Sequence, residues 1–269
     1  MRIIECSVMA KTGNPEESQD GTIVTDDFAA VVDGATDKSS RTFDGISGGR
    51  FAMTVVTEAI SRLPAEADCA QAVAALTIAL AHALPDRLPP AERPGAVTVI
   101  YSDARREVWK IGDVGFWYAG LPHQQGQKPV DAVASAMRAA VVRAELISGT
   151  TVEELTTHDV GREAIMPLLR RQTLFANNPA AGNLAYPVLD GRAVPQELVT
   201  STSVPPDITE LVLASDGYPE ILPTLEESEK RVREMMAADP LCIGILRGTK
   251  GLTPAGVGFD DRSYLRLEI

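Results

Sequence analysis

Residues 28–35 read FAAVVDGA, an apolar run that ends directly in Asp33 and a glycine. Residues 211–217, LVLASDG, repeat the pattern and end in Asp216 and a glycine. Short apolar runs that stop at turn residues are typical of β-strands. An Asp-Gly pair after a strand, taken singly, indicates a turn, because aspartate accepts backbone N–H bonds and glycine supplies a positive φ. The two runs therefore predict two strands with an aspartate at the end of each.

The rest of the sequence alternates between β-rich and helical patterns. Further strands are predicted at residues 2–9, 96–103, 106–113, 115–120, 197–204 and 263–269. Helices are predicted from a capping Ser47 to residue 63, and at residues 66–84, 129–146, 151–170 and 225–238. Residues 186–194, YPVLDGRAV, place Asp-Gly between two apolar runs and predict a hairpin.

The order of these elements favours an α+β fold. Strands that follow one another closely form antiparallel hairpins, and the helices are segregated from them, which suits layered packing better than a parallel βαβ fold. The sequence contains no internal repeat and no flexible linker. We therefore expect residues 1–269 to form a single domain.

The composition excludes several classes of protein. With 45% hydrophobic residues, the chain is not disordered as a whole. A net charge of −12 argues against a partner that is a nucleic acid. The start lacks the long apolar region of a signal peptide, and the most apolar stretch, residues 72–84, is too short to span a bilayer. The sequence therefore predicts a soluble cytoplasmic protein without a membrane partner.

The residues that could carry chemistry are aspartates at strand ends: Asp20, Asp33, Asp113, Asp216 and Asp260. Converging carboxylates repel one another unless cations neutralise them, and such oxygen ligands select Mg²⁺ or Mn²⁺. Two such ions about 3.5–4 Å apart would acidify a water for attack at phosphorus. The sequence has no P-loop and no dinucleotide-binding glycine motif, and its three histidines lack the spacing of a metal or nucleophile motif.

Six motifs occur in an order that resembles the type 2C (PPM) metal-dependent protein Ser/Thr phosphatases. They are Gln19-Asp20, VVDGA at 31–35, GAVTVIYSD at 95–103, IGDVG at 111–115, LASDGYPEI at 213–221 and FDDRSYLRL at 259–267. The resemblance runs along nearly the whole chain, and LASDGYPEI and VVDGA are its most specific pieces. It implies a four-layer α-β-β-α sandwich with two antiparallel sheets and a binuclear Mn²⁺ or Mg²⁺ site in a cleft at one end.

The resemblance also implies roles for individual residues. Asp33 resembles the carboxylate that bridges both ions, and Gly34 resembles the residue that offers its backbone carbonyl. Asp216 and Asp260 resemble the remaining ligands of the first ion. The three aspartates are therefore the predicted catalytic residues.

Three other aspartates resemble residues around this centre. Asp20 resembles an acid that touches the site through water, and Asp113 resembles the aspartate linked in many bacterial members to a third, weaker metal ion. Both are therefore grouped with the metal-binding residues. Asp261 stands where the family more often has asparagine, and it is interpreted as a support of the site rather than a ligand.

The chain departs from the family in the residue that holds the substrate phosphate. The family usually has an arginine shortly before the first aspartate, whereas residues 11–20 here read KTGNPEESQD. Lys11 and Arg41 are the candidate substrate-binding residues, one of which is predicted to replace that arginine, and Lys11 is favoured because it follows the first strand into the site. The alternative is that both are solvated surface cations.

Two insertions also depart from the family pattern. The short glycine turn after Asp33 is widened, so that Gly48 and Gly49 arrive about a dozen residues late. A helical insert at about residues 127–171 stands where the family carries a flap. The insert has a predicted apolar stripe, formed by Val130, Val133, Met137, Val141 and Ala144. It could be a substrate lid or could simply pack onto the sandwich.

These observations predict a Mn²⁺- or Mg²⁺-dependent phosphomonoester hydrolase that acts on phosphoserine or phosphothreonine of a protein substrate. One alternative is a pseudophosphatase, in which the same sandwich serves as a binding or regulatory module. Another is a phosphatase of a small phosphorylated metabolite, to which the altered rim would be suited.

Overall fold

The computed structural model describes residues 1–35, 41–121, 127–252 and 257–269. Within these ranges the strands are β1 (Arg2–Met9), β2 (Asp20–Val24), β3 (Phe28–Ala35), β4 (Thr42–Phe43), β5 (Ile46–Ser47), β6 (Gly95–Ser102), β7 (Glu107–Ile111), β8 (Gly115–Trp117), β9 (Thr200–Ser203), β10 (Glu210–Ala214) and β11 (Arg262–Glu268). The helices are α1 (Gly48–Ile60), α2 (Cys69–Ala83), α3 (Pro129–Ser148), α4 (Val152–Thr157), α5 (Val160–Leu169) and α6 (Leu225–Ala238).

Two antiparallel sheets form the centre of the fold. One has the strand order β1-β11-β10-β8, and the other has the order β2-β3-β6-β7-β9. Every pairing within the two sheets is antiparallel. β4 and β5 form a separate two-stranded ribbon before α1. The prediction of an α+β fold with two antiparallel sheets is confirmed.

Apolar side chains fill the interfaces between four layers. Strand β3 is buried on both faces, because its alternate residues enter different cores. Phe28 and Val32 point toward α1 and α2, whereas Val31 points toward the other sheet, where it joins Leu265. On the far side of that second sheet, Val232 of α6 packs in a third cluster. Burial of each such side chain contributes roughly 1.5–3 kcal/mol, and the predicted α-β-β-α sandwich is confirmed.

Polar side chains at the helix starts set where the helices begin. The Ser47 side chain accepts the N–H of Arg50 at the start of α1, as the sequence predicts. At α2 the Asp68 side chain accepts the N–H of Gln71, and the Gln71 side-chain oxygen accepts the backbone N–H of Asp68. Such caps contribute about 1 kcal/mol each. Helix α2 therefore begins at Cys69, three residues later than its apolar pattern suggests.

The helical insert consists of α3, α4 and α5. Residues 151–170 are largely helical, as their composition predicts, but they form two helices, because Asp159 lies between α4 and α5 and its side chain caps α5 by accepting the N–H of Arg162. The guanidinium of Arg138 in α3 is buried and binds the carboxylate of Asp159. It also donates to three backbone carbonyls of a loop that precedes the final strand, those of Leu241, Cys242 and Gly248. The insert is thus fastened to this loop.

The apolar stripe predicted for α3 is wrong in part. Val130 is buried, but Val133 and Met137 are 56% and 49% exposed. The buried face instead includes Ala134, Arg138, Ala139 and Val142. A buried arginine therefore defines the packed face, and a pattern of hydrophobic residues alone assigns that face incorrectly.

The hairpin predicted at residues 186–194 does not form. Gly191 has φ 81°, and the Asp190 side chain accepts the N–H of Arg192, so the chain does bend at Asp-Gly. Leu189, however, makes an isolated antiparallel bridge with Ala96 of β6. The segment therefore pairs with the sheet rather than with itself.

Candidate functional site

Two of the predicted site residues face each other across neighbouring strands. In the register of β2 and β3, Asp20 lies directly opposite Asp33. Like charges directly opposite each other destabilise an antiparallel pair. Asp20 is only 3% exposed, so water does little to screen this repulsion. A cation at this position would therefore be stabilising.

The second sheet brings further aspartates to the same end of the molecule. Gly115 of β8 pairs with Ala214 of β10. Because the strands are antiparallel, Asp113 before β8 and Asp216 after β10 lie at the same edge. Asp260 precedes β11, which is also antiparallel to β10, so it reaches this edge as well.

Two glycines allow backbone segments to approach closely at this edge. A Cβ at Gly34 would collide with the backbone of Gly49, and a Cβ at Gly217 would collide with the backbone of Asp261. Neither glycine has a positive φ, so a simple turn does not explain these Asp-Gly pairs. Gly49 belongs to the first turn of α1. The start of α1 therefore lies next to Asp33 and Gly34, although the loop that connects them is longer than in the family.

A cleft of about 270 Å³ opens at this edge. Five of the predicted site residues line it: Lys11, Asp33, Gly34, Asp216 and Asp260. A second cleft of about 320 Å³ adjoins the first, shares two of these aspartates and includes Asp113. Asp20 is buried at the same edge and interacts electrostatically with Asp216 and Asp260. The structure thus brings all the predicted metal-binding residues together.

The burial of these aspartates changes their acidity. Burial raises the pKa of Asp33 and of Asp216 well above the usual range, and neighbouring carboxylates raise both further. Burial, with the charges of Asp216 and Asp260, raises the pKa of Asp20 to about 8. Ionising each of these carboxyl groups therefore costs free energy, and a bound cation would offset that cost.

Lysine ammonium groups already neutralise part of this charge. Lys128 Nζ lies 3.0 Å from Asp113 Oδ2, and Lys250 Nζ lies 2.7 Å from Asp260 Oδ1. Burial alone would raise the pKa of Asp260, but Lys250 and Lys11 outweigh it and lower that pKa. Three lysines therefore neutralise part of the negative charge of the site.

The donor atoms of the site suit a hard divalent cation. The buried atoms Asp20 Oδ2 and Asp113 Oδ1 have no hydrogen-bond partner among the described residues, and an unsatisfied buried acceptor is costly. Carboxylate oxygens are the ligands that Mg²⁺ and Mn²⁺ prefer. Within the described ranges, no three His, Cys, Asp or Glu side chains form a group arranged to hold a metal ion. Metal binding would therefore require these side chains to move closer together.

Asp261 forms hydrogen bonds that hold Lys11 and Gln19 beside the cleft. Its carboxylate accepts the backbone N–H of Lys11 at 2.9 Å, the Lys11 ammonium at 3.0 Å and the backbone N–H of Gln19 at 3.2 Å. Three donors on one carboxylate agree with the interpretation of Asp261 as a support. Lys11 lies at the cleft with its charge shared between Asp261 and, at 3.5 Å, Asp260.

The second predicted substrate-binding cation lies elsewhere. Arg41 pairs with Glu92 at 2.6 Å, and its guanidinium lies 5.8 Å from the centre of the Phe43 ring. It is not among the described residues that line the cleft. The structure therefore gives no support to Arg41 as a phosphate-binding residue.

Sequence reasoning missed three cations that line the cleft: Lys128, Arg162 and Lys250. Lys128 and Arg162 belong to the helical insert, and Lys250 lies ten residues before Asp260. None of them belongs to a recognisable motif or has a characteristic sequence spacing from the aspartates. The sequence therefore does not indicate that they line the cleft.

Comparisons with known proteins bear on the fold. No protein-family model and no curated protein sequence matches this chain. Among solved structures, the serine/threonine phosphatase Stp1 from Staphylococcus aureus matches with 12% identity and a TM-score of 0.51, covering 100% of this chain and 96% of that chain. A bacterial serine phosphatase matches with 12% identity and a TM-score of 0.50, covering 98% and 96%.

A third match is the catalytic domain of the serine/threonine phosphatase PstP in complex with two manganese ions. It has 16% identity and a TM-score of 0.48, covering 97% of this chain and 95% of that chain. The first two matches support the conclusion that this chain has the fold of the PPM-type Ser/Thr phosphatases. At these identities the likeness establishes the fold alone.

Proposed function

We propose that this chain is a Mn²⁺- or Mg²⁺-dependent phosphomonoester hydrolase of the type 2C (PPM) family, acting on phosphoserine and phosphothreonine of proteins. One observation carries the proposal. Five aspartates from both antiparallel sheets converge at one end of the molecule: Asp33, Asp113, Asp216 and Asp260 line two adjoining clefts, and Asp20 is buried beside them. Burial raises the pKa values of three of them, Asp20, Asp33 and Asp216, which is unfavourable for folding alone and of use to a site that binds cations.

The candidate metal-binding residues are the five aspartates and the backbone carbonyl of Gly34. Divalent ions bound there would supply an acidified water and positive charge against the phosphoryl oxygens. The chain itself contributes the walls of the cleft, and its lysines reduce repulsion between the aspartates and an anionic substrate. Lys11 remains a predicted substrate-binding residue, held at the cleft by Asp261.

A first experiment measures hydrolysis of p-nitrophenyl phosphate with Mn²⁺, with Mg²⁺ and with excess EDTA. We expect turnover with metal and none with EDTA. Asp33→Asn should abolish turnover while the protein remains folded, because a carboxylate is lost from the centre of the site. Asp207→Asn, at an exposed aspartate away from the cleft, is the matched control and should be fully active. Full activity in Asp33→Asn would contradict the proposal.

A second experiment concerns the substrate. Phosphoserine and phosphothreonine peptides should be hydrolysed with a higher kcat/KM than small phosphorylated metabolites. The reverse preference would still support phosphatase activity, but it would show that the substrate is a small metabolite rather than a protein. Location in the cytoplasm also stays a prediction, and none of the described helices is long and apolar enough to cross a bilayer.

The ion pairs of Lys128 and Lys250 favour a second candidate function. They neutralise Asp113 and Asp260 without any metal, as would suit a catalytically inactive binding or regulatory module. Binding of a phosphopeptide with no turnover at any concentration of Mn²⁺ or Mg²⁺ would support this candidate. Metal-dependent turnover would exclude it.

A further inference from the structure

Arg162 has a different environment from the other cations of the cleft. Lys11, Lys128 and Lys250 each form an ion pair with an aspartate. No carboxylate among the described residues forms an ion pair with Arg162. Its guanidinium atom Nη1 instead donates to the carbonyl of Thr249 at 2.7 Å. Arg162 therefore brings to the cleft a positive charge that no carboxylate of the described residues contacts directly.

The surroundings of Arg162 make this charge costly. Arg162 is half-buried in the wall of the cleft that holds Asp33 and Asp216. Burial lowers the pKa of its guanidinium, although Asp159 favours the charged form. Buried cations are normally paired with an anion. An anionic ligand in the cleft would supply the missing partner.

The packing of the insert holds Arg162 in place. At the preceding residue, Gly161, a Cβ would press against Arg138 and Val142, so α5 lies tightly against α3. Arg138 in turn fixes the loop that precedes Thr249 by binding its backbone carbonyls. Both the helix that carries Arg162 and the loop that accepts its hydrogen bond are therefore anchored before any ligand arrives.

We propose that Arg162 of the helical insert binds the phosphoryl group of the substrate, an assignment that rests on the proposed phosphatase function. One N–H group of the guanidinium remains with Thr249, and the remaining donors face the phosphoryl oxygens in the cleft. A guanidinium matches the geometry of a phosphate dianion. The insert is then part of the substrate site, and it supplies the arginine that is missing before Asp20.

The test compares Arg162→Met with the wild type in two measurements. The first is KM and kcat for p-nitrophenyl phosphate with saturating Mn²⁺, and the second is the Kd of inorganic phosphate by calorimetry. We expect KM and the phosphate Kd to rise about tenfold or more, since a charge-assisted bond is lost. The value of kcat should change less, if the bond is equally strong in the ground and transition states. Arg162→Lys should give intermediate values.

Arg143→Met is the matched control. Arg143 lies in the same insert and also donates to a backbone carbonyl, that of Ile243 at 2.8 Å, but it is exposed and does not line the cleft. Its KM and phosphate Kd should equal those of the wild type. Values within twofold of wild type in Arg162→Met, or equal changes in Arg143→Met, would overturn the assignment.

Two further outcomes are also decisive. If Arg162→Met does not fold, the phosphate Kd of Arg162→Lys tests the assignment instead. An unchanged phosphate Kd in that folded variant would overturn the assignment. If the wild type hydrolyses no phosphate ester, the proposed function fails. Calorimetry then still decides the inference: phosphate binding that weakens in Arg162→Met supports it, and equal or absent binding in both proteins overturns it.

Discussion

The ammonium group of Lys128 lies 3.0 Å from the carboxylate of Asp113, with side chains that are 19% and 7% exposed. The ammonium also lies 5.9 Å from the centre of the Tyr186 ring. Burial alone would lower the pKa of Lys128, but Asp113 and the nearby charges of Asp131 and Asp216 outweigh it and raise that pKa. A side chain of the insert thus places a fixed positive charge within the acidic cluster.

A fixed charge of this kind should compete with metal ions. We predict that Lys128→Met binds Mn²⁺ more tightly than the wild type, by about tenfold or 1.4 kcal/mol, because Asp113 loses its cationic partner and the cluster becomes more negative. Without metal, the variant should be less stable, because its aspartates repel one another with less compensation. Calorimetric titration of metal-free protein with Mn²⁺ checks the first expectation, and thermal unfolding in EDTA checks the second.

Lys230→Met serves as the control for the loss of one positive charge, because Lys230 is an exposed residue of α6 with a side chain that is 72% exposed. Its Mn²⁺ affinity should match that of the wild type. Unchanged or weaker Mn²⁺ binding in Lys128→Met would show that the lysine does not oppose the metal.

A second prediction concerns the contact between Gly34 and Gly49. A methyl group at Gly34 meets backbone atoms, which cannot rotate away as a side chain could. We therefore expect Gly34→Ala to lower the free energy of unfolding by about 3 kcal/mol or more. Urea unfolding in EDTA measures this without a contribution from bound metal.

Gly248→Ala is the comparison for that variant, because a Cβ there meets its nearest neighbour at an ordinary 3.4 Å. Its stability should stay within about 0.5 kcal/mol of wild type. Equal stabilities of the two variants would mean that α1 does not need to approach β3 so closely.

A third prediction concerns the pH dependence of stability. Glu229 of α6 accepts hydrogen bonds from Arg262 at 2.7 Å and from Tyr218 at 2.7 Å. Burial alone would raise the pKa of Glu229, but these two bonds outweigh it and hold the pKa below 4.5. A lowered pKa means that the ionised carboxylate stabilises the fold above pH 4.5 and that this contribution disappears as the pH falls through the folded-state pKa.

Glu229→Gln should therefore be less stable than the wild type at neutral pH by roughly 1.5–3 kcal/mol. The difference should shrink as the pH falls from neutral to below 4.5, because the wild-type carboxyl then also becomes protonated. Urea midpoints measured across this range check the expectation. The exposed Glu234→Gln, whose ion pairs are 3.9 Å long, should have little effect at any pH. A difference for Glu229→Gln that is independent of pH would contradict the assignment.

The sequence predicted the parts of this structure that local patterns encode. Runs such as residues 28–35 specify strands that are buried on both faces, and Ser47 and the final strand lie where the pattern places them. The aspartates of the cleft were found for a related reason, since each lies beside the end of a strand and antiparallel neighbours bring such ends together. The α+β layering follows from this regularity, whereas the confirmed four-layer sandwich was implied by the resemblance to the type 2C (PPM) family.

The errors arise where distant residues determine local structure. Arg138 is buried by the carbonyls of a loop about a hundred residues later, so the hydrophobic pattern of α3 gave the wrong face. Leu189 pairs with Ala96, which no local turn signal reveals. Lys128 and Arg162 reach the cleft only because the insert folds back over it, and their position depends on tertiary packing alone. The single-domain organisation and the metal-binding roles of the aspartates stay predictions.

The measurement that tests the central claim most directly is the rate of dephosphorylation of a phosphothreonine peptide as a function of Mn²⁺ concentration, starting from protein stripped of metal. Wild-type protein should show no turnover in EDTA and a rate that rises to saturation as Mn²⁺ is added, while Asp216→Asn should remain inactive at every concentration. Turnover that is unaffected by EDTA, or full activity in Asp216→Asn, would contradict the account of this cleft as a metal-dependent phosphatase site.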